Sequence, residues 1–419
     1  MDILQIASLL IVLAAVFGCV NYFVLRLPQS IGILIVALIA SFTAMGMDRL
    51  FPSLAISHTL SVWVSDIGFS DTLLDGMLGL LLFAGALHVP MEHLRKQGWV
   101  VLMMATIGVG LSVAVVGFGF AWATGVPLIV ALVFGAIISP TDPVAVMGVL
   151  RRAELRKSLE TKIAGESLFN DGVAYVVFLV LVGLAFPQAG MHGVSPDSEV
   201  TAAIILFVQE AFGGAALGGV LGWLTFRVMR RIDDYALEML ITLALAFGGY
   251  ELAIRLHVSA PIMAVVAGLM IGDVGMKYGM SKITRDYVTA FWQMLDEILN
   301  AVLFLLIGVE VFAVAFDTSY LEAAAISVIL GLLARLAAVS VPIFLLRPFR
   351  AFDHDVIPIM TWGGLKGGIS VALALSLPDS DWTPLILTST YVVVVFSIIV
   401  QGLTIGPLAV RLGREPELM

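Results

Sequence analysis

Long apolar runs recur from one end of the chain to the other, each close to the length of a bilayer crossing. A spanning helix needs about 20 mostly apolar residues. Read with that window, the sequence predicts spans at 3–25, 29–46, 71–90, 98–123, 126–150, 162–186, 200–229, 235–256, 259–273, 286–315, 320–346, 356–378 and 384–410. In lipid such runs must satisfy their backbone hydrogen bonds internally, which helices do within one segment. The chain therefore reads as an all-α polytopic membrane protein of about 13 transmembrane helices. Composition agrees: 60% of the 419 residues are hydrophobic and 13% charged, against about 25% charged in soluble domains. A cytosolic enzyme, a nucleic-acid binder and a disordered scaffold are excluded. Residues 47–70 are mixed in polarity and read as a loop with an interfacial helix around Trp63. The single cysteine, Cys19, permits no intrachain disulfide. The N-terminal run lacks the basic segment and cleavage site of a signal peptide.

Orientation follows from the basic residues, which accumulate in cytoplasmic loops. With thirteen alternating spans and the N-terminus outside, eighteen of the 22 Lys and Arg residues fall inside and only Arg49 and Arg255 outside. The remaining two, Arg335 and Lys366, lie within spans. One missed or extra helix would destroy that asymmetry. The expected topology is N-terminus out and C-terminus cytoplasmic, with a short tail after Arg411 and no large soluble domain.

Charge at bilayer depth costs at least about 2.5–3.5 kcal/mol per group on insertion scales and marks function by default. Glu251, Asp273 and Glu310 lie near span ends, where side chains reach water. Asp142, Asp171 and Lys366 lie near mid-span, where they cannot, and Glu166 stands about one turn before Asp171. Span 126–150 holds Ser139-Pro140-Thr141-Asp142-Pro143 at its centre. Two prolines remove two backbone donors, so no regular helix passes through. Span 356–378 holds Trp362-Gly363-Gly364-Leu365-Lys366-Gly367-Gly368, whose glycines weaken the helix by about 1 kcal/mol each. A pair of interrupted spans in the two halves of a chain points to an inverted-repeat transporter with its site at the breaks. Half-helix ends of opposed polarity would meet there, compensated by Asp142 and Lys366.

Span 162–186 carries Gly165-Glu166-Ser167-Leu168-Phe169-Asn170-Asp171-Gly172. Glu166 and Asn170 share one helix face, and Ser167 and Asp171 form a second i, i+4 pair. Hard cations prefer oxygen ligands of these types. Burial penalises the charged form of a carboxylate, so one group can take either a proton or a cation. A passive channel would need a continuous pore, yet no filter-like repeat of backbone carbonyls is present. An intramembrane hydrolase would need a base beside its nucleophile, and no histidine lies mid-span. His88 and His93 lie close to the inner surface.

These motifs resemble the monovalent cation/proton antiporter family, in particular the NhaP-type sodium/proton exchangers. The match rests on Ser139 to Val146, Gly165 to Gly172, Asn300 to Gly308 (NAVLFLLIG) and Trp362 to Gly367, with a weaker run at Pro261 to Gly272. The resemblance implies an antiporter fold of inverted repeats with two broken crossing helices. It implies interface helices at 1–97 and 187–316, which dimerise, and an ion-transporting bundle at 98–186 and 317–419. It implies no enzyme activity, no cofactor and no nucleic-acid partner, but secondary exchange of Na⁺ or Li⁺ for H⁺ in the cell inner membrane. Asp171 would bind cation or proton, with Thr141 and Ser167 as further Na⁺ ligands and Asp142 shaping the site. The pair Asn170-Asp171 is typical of electroneutral, one-for-one relatives. Glu166 would form a structural ion pair with Lys366, and Arg335 falls where the family often has a supporting arginine. Two departures stand out: Lys366 replaces the usual arginine, and Phe83-Ala84-Gly85 lacks a carboxylate common in the third helix. The oxygen ligands suit K⁺ as well, so K⁺/H⁺ exchange is the alternative.

Overall fold

The computed structural model describes residues 3–51, 72–150, 157–187, 199–312 and 320–412. Trp63 and the basic residues Arg151, Arg152, Arg156 and Arg414 lie outside the described residues. In chain order the helices are α1 (Ile3–Val20), α2 (Gln29–Leu50), α3 (Leu78–His88), α4 (Met91–Met103), α5 (Val109–Thr124), α6 (Leu128–Ile138), α7 (Pro143–Leu150), α8 (Lys157–Ala185) and α9 (Glu199–Met229). They continue with α10 (Tyr235–Arg255), α11 (Ala260–Met270), α12 (Lys282–Val309), α13 (Leu321–Leu346), α14 (Val356–Trp362), α15 (Gly368–Leu375), α16 (Thr383–Phe396) and α17 (Gly402–Leu412). The pairs α4/α5 and α16/α17 are single rods with a π-helical turn inside them, at Met104–Gly108 and Ser397–Gln401. The pairs α6/α7 and α14/α15 are broken rods. Counted this way, the described helices fall on the thirteen expected spans.

Local chemistry explains several boundaries. Pro90 precedes α4 and starts it seven residues earlier than hydropathy indicates, at Met91. The short span expected at 259–273 starts where Ser259 Oγ accepts the Ile262 N–H (3.3 Å), the usual N-cap arrangement. It then runs on through a π-helical turn at Ile271–Gly275 to Tyr278, 19 residues in all. Asp234 caps α10 by accepting from Ala236 and Leu237. The expected water contact fits Glu251, which pairs with exposed Arg255 at 2.7 Å. It does not hold for Glu310, which is 3% exposed because the chain turns through Glu310–Phe312 and folds it inward.

Packing divides the buried apolar residues into three clusters. One draws only on α5, α6, α8, α13, α15 and α16 and the segments between them, with Phe134, Phe178 and Ala334 at its centre. A second gathers Phe83 of α3, Met263 of α11 and Trp292 of α12. The third joins α1, α2 and α12 to the last helices. Lipid tails are as apolar as leucine, so tight packing rather than water exclusion holds these helices together. Phe134 and Phe120 show the consequence: both are fully buried, with ring centroids 4.3 Å apart. Phe134→Ala opens a cavity there and is expected to cost about 2 kcal/mol, less than in an aqueous core. The melting temperature in detergent should fall, while Trp122→Leu, at a residue 90% exposed, should leave it unchanged.

Candidate functional site

The two broken rods cross, and each supplies what the other lacks. α6 ends at Ile138, and Pro140 and Pro143 prevent its continuation. Its last carbonyls face the other break, where Lys366 Nζ donates to Ser139 O (3.2 Å) and Pro140 O (3.3 Å). A cation at a helix C-terminus is the favourable placement. The Asp142 N–H donates to Leu365 O at 2.8 Å, a backbone bond joining the two breaks. The second break is held from behind by the π-helical turn after α16. Ser397 Oγ accepts the Lys366 N–H (2.9 Å) and donates to Gln401 Oε1 (2.6 Å). Gln401 Nε2 in turn donates to Trp362 O (3.1 Å). Close approach requires glycine at two of these positions. A Cβ on Gly367 would lie 2.6 Å from Asp142 Cβ, and one on Gly364 would run into the Arg335 guanidinium.

Beside the crossing, α8 and α13 build a buried polar chain. Arg335 Nη1 and Nη2 both donate to Glu166, one to each oxygen, the second at 2.6 Å. Its Nε donates to Met360 O at 3.1 Å. Asn170 Nδ2 donates to Glu166 Oε1 (3.3 Å) and Thr141 Oγ1 (2.7 Å), and Thr141 Oγ1 shares a hydrogen bond with Ser167 Oγ (3.0 Å). All five side chains are at most 5% exposed. The expected Glu166–Lys366 pair is therefore not the arrangement found. The planar guanidinium of Arg335 matches both carboxylate oxygens at once, and the compact ammonium of Lys366 meets carbonyl oxygens instead. Arg335 is the partner of Glu166 rather than a distant support.

Asp171 stands apart from that chain. It is 6% exposed and accepts from the Thr141 backbone N–H, while its Oδ1 has no hydrogen-bond partner. It lines a cavity of about 90 Å³ together with Thr141 and Asp142 on one side and Leu78, Leu82 and Gly85 of α3 on another. That space accommodates a small cation with water. Ser167 and Asn170 reach Thr141 from behind and are not part of the cavity lining, nor is Lys366. Across the cavity stand two residues that the sequence reading left without a role, Asp296 and Asn300 of α12. Asp296 lies within the expected span 286–315 and Asn300 heads the NAVLFLLIG motif, and their one-turn spacing is the signal the sequence offers. Ala84, where the resemblance led to the expectation of a carboxylate, is fully buried, and its neighbour Gly85 lines the cavity. His88 Nδ1 lies 2.7 Å from Ala84 O within its own helix.

With the geometry established, similarity to known proteins places the chain. Residues 9–411 match the family described as sodium/hydrogen exchanger, transmembrane. The chain is 47% identical to the Na(+)/H(+) antiporter NhaP of Pseudomonas aeruginosa, covering 98% of this chain and 97% of that one. It is 34% identical to the Na(+)/H(+) antiporter NhaH of Halobacillus dabanensis, covering 98% of each. The fold is similar to that of the sodium proton antiporter MjNhaP1 from Methanocaldococcus jannaschii, with a TM-score of 0.75 at 20% identity over 99% of this chain and all of that one. The chain with crossed broken helices and a cavity-facing aspartate thus belongs to the transmembrane sodium/hydrogen exchanger family.

Proposed function

We propose that this chain exchanges Na⁺, or Li⁺, for H⁺ across the cell inner membrane, with cation and proton competing for the Asp171 carboxylate. The observation that carries the reading is that carboxylate: deeply buried, facing a cavity, with one oxygen left without a partner beside two broken helices. A buried unpaired carboxylate is costly, and either a proton or a cation relieves the cost. Thr141 adds an oxygen at the cavity wall and Ser167 fixes its hydroxyl. Asp142 adds negative charge and ties the breaks together. Asn170 is a neutral bridge between Glu166 and Thr141 and carries no proton of its own, so one carboxylate exchanges one cation for one proton.

The movement that accompanies exchange is alternating access. The bundle comprises residues 98–186 and 317–419, and the dimer-forming interface helices lie in 1–97 and 187–316. Two observations support that division. One apolar cluster draws its buried members from the bundle ranges alone. The cavity lies between the two parts, with Asp171 and Thr141 on the bundle and Gly85 and Asp296 on the other. The N-terminus faces outside and the C-terminus the cytoplasm, on the strength of the basic loops.

Three outcomes follow from these roles. In proteoliposomes with Na⁺, Li⁺ or K⁺ offered in turn, Asp171→Asn should lower exchange by at least about 100-fold, with size-exclusion behaviour unchanged; residual proton-coupled flux would move the site elsewhere. Competition requires the apparent KM for Na⁺ to rise as pH falls while the maximal rate holds, and a clamped membrane potential should not alter either. Rates that accelerate with voltage would rule out one-for-one exchange. Arg335→Ala strands a buried carboxylate and should destabilise the protein by about 3–5 kcal/mol, with Glu166→Gln restoring much of the loss in thermal unfolding. If Lys366→Ala were equally damaging and Arg335→Ala harmless, the assignment of the pair would be reversed.

A further inference from the structure

We propose that Asp296, held in place by Asn300, is a second cation-accepting carboxylate, which receives the ion on the wall facing Asp171 before it reaches that residue. The proposal rests on the reading of Asp171 as the exchange site and adds a residue to it.

The two side chains stand one helical turn apart on α12, and both line the cavity. Asn300 is 3% exposed, and its amide nitrogen donates to the Asp296 carbonyl at 2.7 Å and to Asp296 Oδ1 at 3.0 Å. One amide group thus fixes both the backbone and the carboxylate of the same residue. That arrangement sets the rotamer of Asp296. Asp296 itself is only partly buried, whereas Asp171 is 6% exposed with Oδ1 unpartnered on the same cavity. The two carboxylates therefore form a graded pair, one at the wetter side and one at the dry side.

The N-cap of α12 is Ser281, several turns away, so Asp296 neither caps the helix nor complements its dipole. The cavity lining around these polar groups includes the apolar Leu78, Leu82 and Leu303. An acid on such a wall attracts cations from solution and raises their local concentration. It also gives a cation a partial oxygen shell before the final dehydration at Asp171 and Thr141. Asp296 lies nearer the Lys282 end of α12 than Asn300 does, which places it on the side of the basic loops.

Na⁺ titrations at fixed pH in proteoliposomes test the idea, with wild type, Asp296→Asn, Asp296→Glu, Asn300→Ala, the double variant Asp296→Asn/Asn300→Ala and Asp171→Asn run together. Asp296→Asn should raise the KM for Na⁺ about tenfold, more than it lowers kcat. Asp296→Glu should restore part of the affinity. Asn300→Ala should raise KM by a smaller factor and add nothing in the double variant, because its effect passes through Asp296. Should Asp296→Asn fold poorly, Na⁺-dependent thermal stabilisation of Asp296→Glu and Asn300→Ala in detergent gives the same reading. A KM within twofold of wild type in Asp296→Asn, alongside an inactive Asp171→Asn, would overturn the role of Asp296 and leave Asp171 in place. Full exchange by Asp171→Asn would instead overturn the reading of the main site, and the KM of Asp296→Asn would then judge Asp296 by itself.

Discussion

Everything at the site follows from backbone groups that cannot be left unpaired at bilayer depth. Two prolines and four glycines interrupt two helices, and each interruption frees carbonyls and N–H groups that lipid cannot satisfy. Each of the bonds described at the crossing answers one of those needs. Lys366 meets the carbonyls at the end of α6, the Asp142 N–H meets Leu365, and Ser397 meets the Lys366 N–H. None of these partners comes from the same half-helix as the group it satisfies. The breaks therefore hold only as a pair, and whatever moves one must carry the other with it.

The polar chain from Arg335 to Ser167 adds a second constraint of a different kind. A buried ion pair gains little net stability, because desolvation offsets the attraction. It does define geometry, since Glu166 accepts from Arg335 and Asn170 at once and Asn170 passes the constraint to Thr141. Thr141 then presents its backbone N–H to Asp171. Satisfied groups are thus arranged around a carboxylate that keeps one oxygen open. On the proposed reading, the rigid part positions and the unsatisfied part exchanges, so the cost of the unpaired oxygen is the source of its affinity for a proton or a cation.

The sequence made the breaks and the central aspartate legible because both violate rules that apply within a few residues. Proline in a span and a carboxylate at mid-depth need no knowledge of the partner helix. The partner of Glu166 was not legible. Arg335 and Lys366 are both buried cations on neighbouring spans, and only packing decides which one reaches the carboxylate. Fork geometry favours Arg335, and the compact ammonium is what fits between the carbonyls of Ser139 and Pro140. Asp296 and Asn300 were visible as a polar pair on α12, but that they face Asp171 depends on how α12 packs beside α3 and the breaks. The rod that begins with α11 runs past the expected end at 273 for a related reason: hydropathy drops at Asp273, yet that residue is only 9% exposed and pairs with Lys277 at 2.5 Å, and the helical turns continue to Tyr278.

On the proposed reading, the charge around the cavity also accounts for an ion of one sign being taken up there. Asp142, Asp171 and Asp296 are among its lining residues, while Lys366 directs its ammonium to the carbonyls of Ser139 and Pro140. Arg335 is committed to Glu166 and Met360. Both of these basic side chains have structural partners, and Asp171 Oδ1 has none. In a medium of low dielectric, like charges so arranged repel strongly and the penalty is relieved by any mobile positive charge. A proton and a small cation are alternative ways to provide it, and on the proposed reading a site that must hold one of them has the property that coupled exchange requires.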